Sequence, residues 1–278
     1  MERRYRRPAW TGAALAILVT VALLAPRAAS AQISDQESRP LPIGEDYHVE
    51  LSGTLWNPTV FGEISSEQFG IIGSKIDFAN DLGFEQTRFM DMRIVLRPSQ
   101  KHRFRIQYTP VTYSSSTTFS RNIVFNGIEF PISLPIESAF EWKVFRMGYE
   151  YDFLYEDWGF VGVLIEGRYT QFSAELTSII AEEFTKITVP LPAFGAVGRF
   201  YVLPEVAINF EVTGFKFPDV DPEYQANYFD WDIHGTVNFT NNIGVQAGWR
   251  RMSTFLNIES DTGSLKFQGM WFGAAIRY

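Results

Sequence analysis

The chain has 278 residues, no cysteine and a formal charge of -8. Without cysteine, disulfides, thiolate catalysis, zinc–thiolate sites and lipid attachment through a thiol are excluded, and the acidic balance argues against nucleic acid as a partner. Aromatic residues make up 16% of the chain, with 25 Phe, which suits strands and interfacial girdles; a mean hydropathy of -0.07 excludes a bundle of apolar membrane helices.

Arg3, Arg4, Arg6 and Arg7 precede an apolar run from Gly12 to Leu24, and Ala29-Ser30-Ala31 follows. This is the three-part plan of a secretory signal peptide, 1–31, with cleavage expected after Ala31; the run is too short to span a bilayer comfortably. Residues 32–46 are polar, with Pro40 and Pro42, and read as a flexible periplasmic lead-in. From Tyr47 to Leu55 the chain alternates: Tyr47, Val49, Leu51 and Leu55 face one way, His48, Glu50, Ser52 and Thr54 the other. A period of two is a strand. Asn57-Pro58 ends it. Residues 59–86 read as a long loop or as an extra hairpin; the phrase from Ile76 to Phe84 resembles one found in uncharacterised bacterial outer-membrane barrels.

Alternation returns at Met90, Met92, Ile94 and Leu96, and again at Phe104, Ile106 and Tyr108 after a turn at Pro98-Ser99-Gln100-Lys101. Thr112 to Ser138 is a long polar excursion, expected as a hairpin standing above a membrane. Further alternating rows run through Phe145–Phe153, Val161–Arg168, Phe194–Tyr201, Val206–Thr213, Phe229–Phe239 and Ile243–Arg250, with short turns near Glu156, Pro204 and Asn241. In the last stretch Met270, Phe272, Ala274, Ile276 and Tyr278 form one apolar row. That ending resembles the C-terminal assembly signature of bacterial outer-membrane β-barrel proteins, with Met270, Phe272, Ile276 and Tyr278 carrying it. The reading is an all-β chain: a closed antiparallel transmembrane β-barrel over 47–278, of about 10 strands, with roughly 12 or 8 as alternatives. The resemblance implies the outer membrane of a Gram-negative bacterium, with its lipid and the barrel-assembly machinery as partners.

Glycines settle which row faces lipid. Gly148, Gly162, Gly195, Gly244, Gly248, Gly269 and Gly273 share the polar row with the charges. A water-facing row gains nothing from glycine, whereas a narrow lumen needs small residues beside arginines. The polar row is therefore placed inside, as a network of Glu50, Asp91, Arg93, Arg97, Arg103, Arg105, Arg146, Glu150, Glu166, Arg168, Arg199, Glu211, Arg250 and Arg277. Charges so confined are expected to pair. A network of this kind is either a charged path for a small solute or a salt-bridged plug.

No phosphate loop, serine elbow or metal-ligand spacing occurs, and no cofactor or metal is expected. The remaining chemistry is Asp230, Asp232 and His234, which share one inward row at spacings of two. Asp232-Ile233-His234 resembles the Asp-x-His pair of omptin proteases. That resemblance implies a ten-stranded barrel in which a carboxylate orients a histidine that activates water. Omptins also use an aspartate pair across the cleft; here Asp91 is followed at i+2 by Arg93, so half of that arrangement is missing. Two function classes follow: a non-enzymatic outer-membrane barrel, acting as a small-solute channel or as a structural or surface-interaction protein, and an outer-membrane protease or lipid-modifying hydrolase using Asp232 and His234.

Overall fold

Rows of alternating apolar and polar residues leave every backbone donor needing a neighbouring strand, and in a membrane only a closed sheet supplies one to each. The computed structural model closes that sheet. It describes residues 42–66, 73–125, 127–132, 135–178, 182–217, 224–258 and 261–278; the expected signal peptide and most of the lead-in lie outside them. The strands are β1 (Val49–Trp56), β2 (Thr59–Ser66), β3 (Ile76–Asp77), β4 (Phe89–Ser99), β5 (His102–Thr118), β6 (Ile123–Phe125), β7 (Ile128–Phe130), β8 (Pro135–Glu156), β9 (Gly159–Ser178), β10 (Glu182–Leu203), β11 (Val206–Lys216), β12 (Tyr224–Asn238), β13 (Ile243–Ile258) and β14 (Asp261–Arg277). Ten of them, β1, β4, β5 and β8 through β14, form an antiparallel barrel closed by β1 on β14.

The seam is zipped from Glu50↔Arg277 to Trp56↔Trp271. Asn57-Pro58 interrupts the ladder, and β2 then continues along the same edge of β14, from Thr59↔Gln268 to Ser66↔Asp261. Among its described residues the stretch 59–86 therefore adds no separate barrel strand; β2 prolongs the first one, and β3 pairs back onto β2. Gly269 sits at the break, where a side-chain carbon would collide with the Asn57 carbonyl. Short turns join Ser99 to His102, Glu156 to Gly159 and Leu203 to Val206 at one end, the turn end. The opposite end carries the long connections, from β1 to β4 and from β5 to β8.

Several strands are far longer than a bilayer requires. β8 and β10 have 22 residues each, whereas about 9–11 suffice to cross. The excursion from Thr112 to Ser138 is the upward continuation of β5 and β8, with the small β6–β7 hairpin between them. The two halves of the barrel have opposite polarity. Toward the turn end Met147 is 55% exposed and Ile165 50%, while Arg146 is 3% and Glu166 6% exposed. Toward the loop end the inner row turns apolar: Trp142, Phe140 and Ile136 on β8, Phe172 and Leu176 on β9, Met252 and Leu256 on β13, Leu265 and Phe267 on β14 are buried. Their outward neighbours are Glu141, Ser173, Arg251 and Lys266. The apolar belt around the turn-end half is much larger than the roughly few hundred Å² that soluble monomers expose, and fits lipid.

Tyr47 departs from the expected row. It lies before the ladder begins at Val49 and is buried, while His48 is exposed. The guanidinium groups of Arg97 and Arg277 lie 5.2 Å and 5.7 Å from its ring centroid, an attraction that holds it inside.

Candidate functional site

The interior of the turn-end half is the candidate site, and its floor comes from the segment ahead of β1. Gly44 adopts φ +82, a conformation that glycine reaches without strain. A side-chain carbon there would stand 2.7 Å from Arg277 Nη1. The Ile43 amide donates to the Pro204 carbonyl (3.0 Å), and Asn238 Nδ2 donates to the Ile43 carbonyl (2.6 Å). This places Glu45 inside the mouth, 1% exposed. Arg199 Nη1 reaches it at 2.8 Å, Arg103 Nη2 at 3.0 Å and Arg97 Nη2 at 3.6 Å, and Tyr201 donates its hydroxyl at 2.5 Å. Burial alone would push this carboxyl up; Arg199, Arg103 and Arg97 outweigh it and hold it at about 2.

Above the floor most of the charges form one connected lattice, and Arg277 and Glu50 pair beside it. Arg103 pairs with Glu150 at 2.8 Å and with Asp152; Arg105 pairs with Glu150 at 3.0 Å and with Glu211. Glu211 also receives Arg146 at 2.7 Å and Arg93 at 3.5 Å. Arg146 reaches Glu166 at 2.9 Å and Asp230 at 3.5 Å. Arg168 pairs with Glu166 and lies 3.8 Å from the centroid of the Tyr228 ring. Arg250 joins Asp230 at 2.8 Å to Asp91 at 3.2 Å, and Arg277 holds Glu50 at 2.5 Å. The structure thus places Glu50, Asp91, Arg93, Arg105, Arg146, Glu150, Glu166, Arg168, Arg199, Glu211, Arg250 and Arg277 on inward positions and brings them together. Such pairing is needed more than it is stabilising: removing one partner strands a charge at several kcal/mol, whereas the intact pair offsets little beyond its own desolvation.

The predicted row of Asp230, Asp232 and His234 divides. Asp230 is consumed by the lattice, with Arg250 on one side and the Tyr228 hydroxyl at 2.8 Å on the other. Asp232 instead takes His234 Nδ1 at 2.5 Å and accepts from Trp271 Nε1 at 2.5 Å. Glu211 and Arg250 stand directly opposite Asp232 on the flanking strands. Asp91 accepts from Gln107 Nε2 at 2.8 Å and from the Thr109 hydroxyl. Asp91, Arg93, Asp232 and His234 all line a cavity of about 80 Å³, room for a few waters. Among the described residues no group of His, Asp and Glu has the geometry of a metal site.

The ceiling is aromatic. Trp142 lies 4.9 Å from Phe267 and 5.2 Å from Phe172, ring centre to ring centre, and Phe78 lies 4.7 Å from Phe140. Trp56 joins the two layers: its ring is in the aromatic cluster, and the Arg250 guanidinium lies 5.2 Å from its centroid. Sequence reasoning missed Glu45, Asp152, Tyr201 and Trp271. Asp152, Tyr201 and Trp271 carried a signal, being on inward parity; Glu45 carried none. At the other surface Met270, Phe272, Ile276 and Tyr278 are exposed along β14. The Tyr278 carbonyl accepts from the His48 and Val49 amides at 2.7 Å and 2.8 Å.

No family model matches the sequence, and no curated protein matches it. Solved structures do match the fold. The outer membrane protease OmpT from Escherichia coli superposes with a TM-score of 0.56 at 10% identity, covering 86% of this chain and 99% of that one. The Yersinia pestis attachment invasion locus protein Ail gives 0.34 at 9% identity, covering 81% and 99%, and neisserial surface protein A gives 0.33 at 11%, covering 83% and 97%. At these identities the likeness to OmpT is one of fold.

Proposed function

From that fold, a closed outer-membrane-type barrel with buried charges, we propose that the protein is a non-enzymatic resident of the bacterial outer membrane. On this reading the turn end is periplasmic and the long-stranded end is extracellular. The lumen is a structural plug, and the part offered to partners is the strand extension outside the membrane, which makes this a structural or surface-interaction protein rather than a channel. The observation that carries this is the filled interior: ion pairs from Glu45 up to Asp230, then the Trp142–Phe267 aromatic layer. Water-filled channels belong to barrels of roughly 16–18 strands. Reconstitution into planar bilayers tests it. No stepwise conductance is expected; a stable ohmic step from wild-type protein would replace this reading with a channel.

A second reading has its own support in the Asp232–His234 hydrogen bond beside the cavity. General-base chemistry there needs a substrate to reach His234 past the aromatic layer, and half of the omptin carboxylate set is replaced by Arg93. A peptide or lipid hydrolysis lost in both His234→Ala and Asp232→Asn, with the barrel still folded, would favour the enzyme.

A further inference from the structure

We propose that the loop-end half binds a compact, neutral apolar solute in a pocket lined on one side by the upper part of β10. That part of β10 is set apart by unequal strand lengths. β10 and β11 part at Phe194↔Gly214, and β11 ends at Lys216. From Ala193 back to Lys186, β10 is paired to β9 alone among the described residues. Inward positions of β10 register the change. Ala193 and Leu191 are 0% and 6% exposed, whereas Val189 and Ile187, next on the same row, are half-buried.

Inside this part of β10 lies a pocket of about 60 Å³ walled by Ile64, Phe140, Phe172, Ile187, Leu256 and Leu265. At ~10–15 Å³ per water-sized site, that is space for about four to six waters, the bulk of one six-membered ring. A polar cavity of this size would hold water; one walled by these side chains gives water few hydrogen-bond partners and favours an apolar guest. Among the described residues no lysine or arginine lines it. A carboxylate or phosphate headgroup is therefore disfavoured, and a neutral molecule fits.

The edge of β10 argues against a peptide as the guest. Pro190 and Pro192 lie in the unpaired stretch. They keep their ladder positions opposite Tyr169 and Gly167 of β9, which proline does only when its nitrogen faces away from the partner strand. The donors that an added strand would need are the ones these prolines remove. The end of a lipid chain has the same apolar chemistry as a small solute. The outward row of β10, however, runs from Pro192 and Pro190 to Thr188 and Lys186, all exposed, so a chain rising from the belt passes the prolines and meets polar surface at the level of Ile187. The guest is accordingly a free solute.

Xenon and cyclohexanol are the probes, with the full barrel in detergent. Crystals under xenon pressure should show a site among Phe172, Ile187 and Leu256. Cyclohexanol, followed by methyl NMR, should bind wild type and lose roughly tenfold in affinity in Ile187→Trp, which fills the pocket from its half-exposed side. Ala174→Leu fills it from β9 should Ile187→Trp not fold. Nanodiscs of lipid spin-labelled at the chain end separate the two sources: the Ile187 and Leu256 methyls should keep their line widths. An empty pocket under xenon, equal cyclohexanol affinity in wild type and a folded filling variant, or methyl broadening by the labelled lipid would each overturn the proposal.

Discussion

The two halves of β8 are one strand in two solvents. From Ile136 to Val144 the inward residues are Ile136, Ser138, Phe140, Trp142 and Val144, and Glu137, Glu141 and Lys143 face out. From Phe145 to Phe153 the inward residues are Arg146, Glu150 and Asp152, and Phe145, Met147, Tyr151 and Phe153 face out. The register does not slip, since β8 stays paired to β9 without a break from Ile136↔Ser178 to Tyr151↔Val163. What changes is the medium outside. Where it is water, the apolar row hides inside; where it is lipid, the charged row does. The level of the switch, between Trp142 and Arg146, marks the outer boundary of the belt.

The strongest way to break this comparison is to treat both layers as ordinary core. Arg146→Ala removes a cation shared by Glu166, Glu211 and Asp230. It should cost about 3–5 kcal/mol in denaturant unfolding from lipid vesicles, because three buried carboxylates each lose one of their cations. Trp142→Ala, four residues up the same inner row, should also cost about 3–5 kcal/mol, but by leaving a dry cavity. The two losses separate by chemistry. An apolar solute should partly restore Trp142→Ala and leave Arg146→Ala unchanged; restoration of both would merge the layers.

The floor gives a pH signature that the ceiling cannot. Glu45 is held at about 2 against an ordinary value of 4.5. A depressed carboxyl contributes stability that is complete above its unfolded value and is lost as pH falls through the folded one. Wild type should therefore exceed Glu45→Gln by about 3 kcal/mol near neutral pH, with the margin shrinking below the unfolded value and gone by about pH 2. A margin independent of pH would mean that Glu45 contributes by packing alone. Outward positions give the smallest effects and map the boundary most finely. On β9, Ile165→Arg should cost about 2 kcal/mol or more in vesicles, whereas Ser173→Arg, on the same outward row above the switch, should stay within about 0.5 kcal/mol.

Much of this architecture was legible as period-two rows, because lipid punishes a misplaced side chain on either face. All ten barrel strands and the four short turns could be read that way. The tall extension could not. At Val144–Phe145 two apolar residues adjoin and the apolar parity flips, so a reader following one parity loses the strand and sees a polar excursion. The prolonged first strand was hidden by Asn57-Pro58, which breaks the row though β14 carries the ladder onward. Charges were legible as inward residues but their partners were not, since Arg105 meets Glu211 across the lumen rather than along a strand. Glu45 was illegible for a simpler reason: it belongs to no row, and only the Gly44 bend and the waiting arginines make it interior.

The seam between β1 and β14 also governs the order in which the molecule can come together. Every other barrel ladder joins strands consecutive around the wall and can zip as a hairpin or hairpin extension soon after its residues are made. The seam joins the two ends of the barrel, and the Arg277–Glu50 contact spans 227 positions. Closing a loop of that length costs about 5 kcal/mol in chain entropy, so it is the late event. Until it happens, the arginines and carboxylates that reach across the lumen stay hydrated. Wall assembly and interior drying are therefore separate kinetic steps, and a chain halted between them would be an open, wet sheet with its last strand still seeking an edge.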